Sequence, residues 1–160
     1  WKPEYAEAEW KWYLSEDNSI GKLGEIYGTI PQIWYKMADA AGKVNSNYGW
    51  QWGRNNQIDY VVDLLKNNKD TRQAAISIYD AKEHDCYSKD TPCTYAVQFT
   101  ILHGRLNMCV VMRSNDLWYG FCNDQYCFSK LQEMISLELG IETGTYYHFA
   151  HNMHLYNDKI

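Results

Sequence analysis

Tyr95-Ala96-Val97-Gln98-Phe99-Thr100-Ile101-Leu102, then His103-Gly104-Arg105, then Leu106-Asn107-Met108-Cys109-Val110-Val111-Met112: the fold is decided in this stretch. Two β-rich runs flank a short link centred on glycine, which predicts a β-hairpin. Upstream, Ala75, Ile76, Ile78 and Tyr79 form a short apolar run that predicts another strand. Downstream, Gln125 to Leu139 carries Phe128, Leu131, Ile135 and Leu139 on one helical face, and Gly140 stands at the C′ position. Asp124 reads as the N-cap of that helix. Thr145 to Tyr156 is the last strand candidate. Near the start, Glu4 to Leu14 places Tyr5, Ala6, Ala8, Trp12 and Tyr13 at helical spacing, with acids in the first turns. A loop rich in Asp, Asn and Gly is expected from Ser15 to about Gly28. Ile58 to Lys66 reads as a second helix with Ile58, Val61, Val62 and Leu65 on one face, stopped by Asn67-Asn68-Lys69-Asp70. The pattern is α+β, an antiparallel-rich mixed sheet with packed helices.

The 160 residues suit one domain spanning 1–160. No run approaches 18 apolar residues, so no membrane-spanning helix is expected. Trp1-Lys2-Pro3-Glu4-Tyr5 has neither a basic nor an apolar leader pattern, so no signal peptide is expected either. Twenty acids against 15 bases give a net charge of −5, which argues against a protein that coats nucleic acid. Neither DNA nor a membrane is expected as a partner. A small anionic substrate stays open, because a few arginines can hold one phosphate. The 7 Trp and 14 Tyr read better as core and pocket lining than as a stacking platform for single strands. Five cysteines at 86, 93, 109, 122 and 127 are odd in number and form no CxxC pair. Buried or partly buried thiols in a reducing cytoplasm are the expectation.

Chemistry concentrates in three segments beside the hairpin. In Asp90-Thr91-Pro92-Cys93-Thr94, the proline sets Cys93 at the start of a strand, where a thiolate nucleophile can face a cleft. A lone cysteine is more often simply packed. Met112-Arg113-Ser114-Asn115-Asp116 joins a guanidinium, a hydroxyl and an amide, a set that suits phosphate or an ordinary strand-to-loop turn. Gly120-Phe121-Cys122-Asn123-Asp124 precedes the long helix, where a carboxylate can serve as cap or face a bound base. His148, His151 and His154 recur every three residues. On a strand such positions alternate faces, so they do not converge and no metal is expected.

Taken in order, these pieces resemble the thymidylate synthase family, from about Glu9 to Asp158. The motifs are Tyr48-Gly49-Trp50-Gln51-Trp52, Ile58-Asp59, Asp70-Thr71-Arg72, Pro92-Cys93 with Gln98-Phe99, Arg113-Ser114-Asn115-Asp116, Gly120, and His154-Leu155-Tyr156. Three departures stand out. Thr94 follows the nucleophile where the synthases have histidine. Asn115 stands where they usually have cysteine, and Asp124 where an asparagine reads uracil. These changes, and the stretch Val44-Asn45-Ser46-Asn47-Tyr48-Gly49-Trp50, are similar to the phage-type deoxycytidylate hydroxymethylase branch.

The resemblance implies a thymidylate synthase-like, dimer-forming fold and a cytoplasmic, folate-dependent enzyme with 5,10-methylenetetrahydrofolate as co-substrate. It implies catalytic roles for Cys93, Glu9, Tyr48 and Asp124. Arg113, Ser114, Asn115, Asp124, His154 and Tyr156 would bind the nucleotide, and Arg72 would reach the partner's phosphate, although Gln73 replaces a second arginine beside it. Asp116, Trp34 and Gly120 would line the folate site. The implied reaction is C5 hydroxymethylation of dCMP. Alternatives are methylation of dUMP, hydroxymethylation of another pyrimidine nucleotide, and a non-catalytic nucleotide- or RNA-binding relative. Glu9 also reads as an exposed helix acid among Glu4, Glu7 and Lys11. The family's upstream arginine loop and downstream closing segment have no counterpart here, so a fragment, a compact variant and an inactive relative all fit.

Overall fold

The computed structural model describes residues 1–87 and 89–157; Asp158, the last residue of the resemblance, lies outside them. Four strands form one mixed sheet in the order β1-β2-β3-β4. β1 (Ala75–Ser77) and β2 (Thr94–Leu102) are antiparallel, as are β2 and β3 (Arg105–Asp116), while β4 (Glu142–His154) runs parallel to β3. The hairpin turns at His103 and Gly104, both with positive φ. Parallel pairing of β3 and β4 requires a crossover, and helix α6 (Phe121–Leu139) supplies it.

Helices α1 (Pro3–Leu14), α2 (Ile20–Tyr27), α3 (Gln32–Met37), α4 (Tyr48–Gly53) and α5 (Gln57–Asn67) complete the set. They share a core with the sheet, in which Trp12, Leu23, Leu65, Phe99, Met108, Val110, Phe128 and Leu131 are fully or almost fully enclosed. The face of β4 bearing Tyr146, His148 and Ala150 is half-buried, whereas Tyr147, Phe149 and His151 are exposed on its other face. No described helix is long and apolar enough to cross a membrane.

Several expectations need correction. The expected loop from Ser15 to Gly28 contains α2. Ser19 caps it by accepting from the Lys22 backbone N–H, Ile20 and Leu23 are buried, and Gly28 ends it in the left-handed region. Gly21 and Gly24 lower intrinsic helicity there, and tertiary burial overrides that preference. Helix α6 starts at Phe121 with Gly120 as its N-cap, so Asp124 is a first-turn residue rather than the cap. Strand β4 starts earlier than expected and ends at His154, and Ile78 and Tyr79 fall outside β1. Cys86 and Cys122 are exposed, against the expectation of burial, while Cys127 is buried and Cys93 and Cys109 are half-buried.

Candidate active site

The segment before β2 is tied down from both sides. Asp90 is almost fully buried and accepts from the Ser46 backbone N–H at 2.7 Å and from the Ser46 hydroxyl. Asn45 donates to the carbonyls of Cys86 and Asp90. Asn47 caps α4 by accepting from Trp50 N–H at 2.8 Å, which fixes the next residue, Tyr48, inside the core. The Tyr48 ring packs on Tyr13 and Phe128.

Cys93 follows at the foot of β2. Arg113, on the adjoining strand, donates from Nε to the Pro92 carbonyl at 3.0 Å and from Nη2 to the Thr91 carbonyl at 2.7 Å. The same Nη2 lies 3.5 Å from Cys93 Sγ. Among the described residues the Nη1 protons of Arg113 have no partner, so that end of the fork remains for an anion. Burial pushes the Cys93 thiol up; the Arg113 charge pulls it down, and Asp124 and Asp90 push it up again. Burial holds the Tyr48 phenol well above its usual pKa, with the neighbouring Thr94 hydroxyl opposing the rise. Thr94 is itself fully buried, and its hydroxyl has no well-formed hydrogen bond among the described residues.

Asp124 and Glu9 complete the cluster. Asn115 Nδ2 donates to Asp124 Oδ2 at 2.6 Å, and Asn115 Oδ1 lies 3.0 Å from His148 Nε2. Desolvation raises the Asp124 carboxyl to about 7, with the Asn115 hydrogen bond opposing the rise. Asp124 as a residue still keeps partial contact with solvent. Glu9 is 6% exposed, which removes the surface-acid reading. Its carboxyl rises to about 8, first through desolvation and then through Asp124 nearby. Tyr5 donates to Glu9 at 3.1 Å and accepts from the Trp34 indole N–H at 2.7 Å. Cys93, Tyr48, Asp124 and Glu9 thus share one electrostatic neighbourhood.

The other expected residues divide. Ser114 Oγ is 3.4 Å from His154 Nδ1, and the His154 ring meets Tyr156 edge-on. Asp116 spends one carboxylate oxygen on each of the Trp118 and Tyr119 backbone N–H groups, bracing the turn into α6. Gly120 sits where a Cβ would lie 3.2 Å from both Asn115 Nδ2 and Asp124 Oδ2, so its bareness leaves room for that pair. Trp34 faces Trp12 edge-on at 5.2 Å. Arg72 is exposed in the segment leading into β1, at the far edge of the sheet, outside this cluster.

A family model described as "Thymidylate synthase" matches residues 3–160. The chain belongs to the thymidylate synthase family. It is 30% identical over 171 residues to a thymidylate synthase of Bacillus subtilis subsp. natto, covering 100% of this chain and 59% of that protein. It is 35% identical over 153 residues to the deoxycytidylate 5-hydroxymethyltransferase of Enterobacteria phage T4, covering 89% of this chain and 61% of that one. The solved structure of a thermostable thymidylate synthase A from Bacillus subtilis aligns with a TM-score of 0.81 at 29% identity, over 96% of this chain and 57% of its own. The chain therefore spans about three fifths of the length of these relatives. Membership of the thymidylate synthase family and the mixed α+β architecture agree with the sequence reading.

Sequence reasoning missed the supports of this cluster: Asn45, Ser46, Asp90, Tyr5, Tyr146 and His148. Asn45 and Ser46 lay in a stretch already singled out, but their partner Asp90 is distant in sequence. His148 was considered only in a histidine spacing pattern. That pattern gave no hint of Asn115, 33 residues away.

Proposed function

We propose that the chain carries, as one domain over residues 1–160, the catalytic core of a folate-dependent deoxycytidylate 5-hydroxymethyltransferase. The observation supporting this most is Asp124, a carboxyl raised to about 7 and held by Asn115 beside the nucleophile candidate. Cytosine presents a ring-nitrogen acceptor at N3 and an amino donor at N4. A half-protonated carboxyl matches both, donating to N3 and accepting from N4. A side-chain amide matches the uracil edge instead, with its N3–H donor and O4 acceptor.

In this reading Cys93 Sγ, as thiolate, adds to C6 of the pyrimidine and leaves C5 nucleophilic. Arg113 supplies positive charge both to the sulfur and, through Nη1, to the substrate phosphate. Ser114 joins at the phosphate, and His154 and Tyr156 meet the sugar. When bound, 5,10-methylenetetrahydrofolate supplies the one-carbon unit as an electrophile. The residues offered to it fit a flat, donor-rich ring: Trp34 has a half-exposed indole, and each Asp116 oxygen keeps a lone pair beyond its backbone bond. Tyr48, whose phenol burial keeps protonated, orients the water that removes the C5 proton. Glu9, raised to about 8, holds a proton near the base at neutral pH. Water then adds to the C5 methylene, and departure of the Cys93 sulfur restores the C5–C6 double bond. The balance is dCMP, methylenetetrahydrofolate and water giving 5-hydroxymethyl-dCMP and tetrahydrofolate.

A homodimer is part of the proposal. The outer sheet face carries Ala96, Val111, Cys109, Tyr147 and Phe149 side by side in register, an apolar patch suited to a second copy. Arg72, outside its own cluster, is then available to a partner's phosphate. Five unpaired thiols suit a reducing cytoplasm.

Methylation of dUMP is the second reading, favoured by Bacillus synthases that align over the whole chain. Incubation with dCMP, dUMP or CMP plus methylenetetrahydrofolate, followed by mass spectrometry of the nucleotides, separates the two. Hydroxymethylated dCMP is expected. Methylated dUMP with dihydrofolate overturns the proposal, and nucleotide binding without turnover assigns the chain to the non-catalytic relatives.

A further inference from the structure

Behind Asn115 lies a row of polar groups that the proposed chemistry does not use. Tyr146 OH is 2.7 Å from His148 Nδ1, His148 Nε2 is 3.0 Å from Asn115 Oδ1, and Asn115 Nδ2 is 2.6 Å from Asp124 Oδ2. Tyr146 and His148 alternate with the exposed residues of β4, so both side chains lie on the face toward α6, and Phe121 closes edge-on over the imidazole at 5.4 Å. Desolvation lowers the His148 pKa, and a neutral imidazole has one N–H to give.

We infer that His148 is a specificity-positioning residue. By donating from Nε2 to the Asn115 carbonyl, it turns the Asn115 amide so that its NH2 group holds Asp124 Oδ2, leaving Oδ1 to carry the proton that meets the cytosine ring nitrogen. This rests on the reading of Asp124 as the base-recognising group.

Two directions of hydrogen bonding could fill the row. A phenol is a better donor than a neutral imidazole N–H, and an imidazole nitrogen is a better acceptor than a phenol oxygen. Tyr146 therefore donates to Nδ1, the imidazole proton sits on Nε2, and each later group inherits its orientation. In the reverse direction the Asn115 carbonyl would take the Asp124 proton. Asp124 would then offer the base only acceptors, leaving cytosine N3 against a lone pair. The choice between the two begins at β4, two groups removed from the carboxyl it sets.

The test combines nitrogen-15 NMR of histidine-labelled protein with dCMP and dUMP titrations of the full chain and of His148→Leu, His148→Gln and Asp124→Asn. Glutamine can place an N–H near the Nε2 position, so it should keep the original dCMP-to-dUMP affinity ratio. Leucine should cut that ratio about tenfold, the scale of one unpaired polar edge. His148 should show the Nε2–H tautomer, with the Nδ1–H form gaining population in Tyr146→Phe. If Asp124→Asn leaves the ratio unchanged, the base-reading role fails and this inference with it. If Asp124→Asn shifts the ratio but His148→Leu does not, or if His148 is the Nδ1–H tautomer, the positioning role alone is overturned. Equal loss in the glutamine and leucine variants also overturns it, since that is the mark of packing rather than donation.

Discussion

The Asn115 amide nitrogen lies 2.6 Å from Asp124 Oδ2, joining the end of strand β3 to the first turn of α6, the helix that crosses back over the sheet. That bond gives the carboxyl one fixed oxygen and one available to a ligand. Replacing Asp124 with asparagine removes the proton that meets cytosine N3, and an amide turned with its oxygen toward the ring accepts from uracil N3–H while its NH2 donates to O4. Asp124→Asn should shift relative kcat/KM, or relative affinity, toward dUMP by about tenfold or more. Steady-state competition between the two nucleotides reads this directly; an unchanged ratio contradicts it.

Two buried acids set a pH dependence of stability. Asp124 and Glu9 titrate at about 7 and about 8 in the folded chain, against roughly 4 when unfolded. Between those limits the folded state binds more protons, so stability falls as pH rises from about 4 to 8. Melting temperature should drop across that window. Asp124→Asn should flatten the slope and raise Tm at pH 8 by about 3 °C or more. A melting temperature that climbs with pH over this range would contradict the burial of these carboxyls.

Arg113 and Cys93 meet at 3.5 Å, with burial raising the thiol and the guanidinium lowering it. The pH midpoint of Cys93 alkylation should lie above that of an ordinary thiol. Arg113→Leu should move it higher still, by about one pH unit. The midpoint is the proper readout, because loss of the Thr91 and Pro92 contacts alters access and hence the rate.

What the sequence disclosed followed the range of the interactions involved. The β2–β3 hairpin, α1, α5 and α6 announce themselves through local periodicity, and Gly140 marks the end of α6. Helix α2 was hidden because Gly21 and Gly24 punctuate it, and only burial of Ile20 and Leu23 makes it helical. Cys93, Arg113 and Asp124 were visible as short polar segments on apolar flanks. Glu9 looked like one acid among several, and its burial depends on α1 packing against elements far along the chain. Tyr146 and His148 were invisible as a pair with Asn115, because the contact is made by side chains across the fold: in the β3–β4 register His148 stands opposite Val110 and Asn115 opposite Met153.

Gly49 is the closest approach of α4 to α1: a Cβ there would lie 1.9 Å from the Tyr13 carbonyl oxygen. Backbone on both sides leaves nothing flexible to yield. Gly49→Ala should destabilise the protein by about 2 kcal/mol or more in urea unfolding, and should weaken nucleotide binding because Tyr48 is displaced with it. Wild-type stability in that variant would mean that α4 is not seated as described.

The central claim, a transient bond between Cys93 and C6 of a cytosine nucleotide, is tested most directly by trapping it. With 5-fluoro-dCMP and methylenetetrahydrofolate, C5 holds fluorine in place of the proton that must leave, so the adduct cannot proceed to product. Intact-mass and peptide mass spectrometry should find nucleotide and folate together on the peptide containing Cys93, and nothing in Cys93→Ala. Full-length protein that binds the nucleotide without any covalent adduct, or an adduct on Cys86, Cys109, Cys122 or Cys127 instead, would contradict the account.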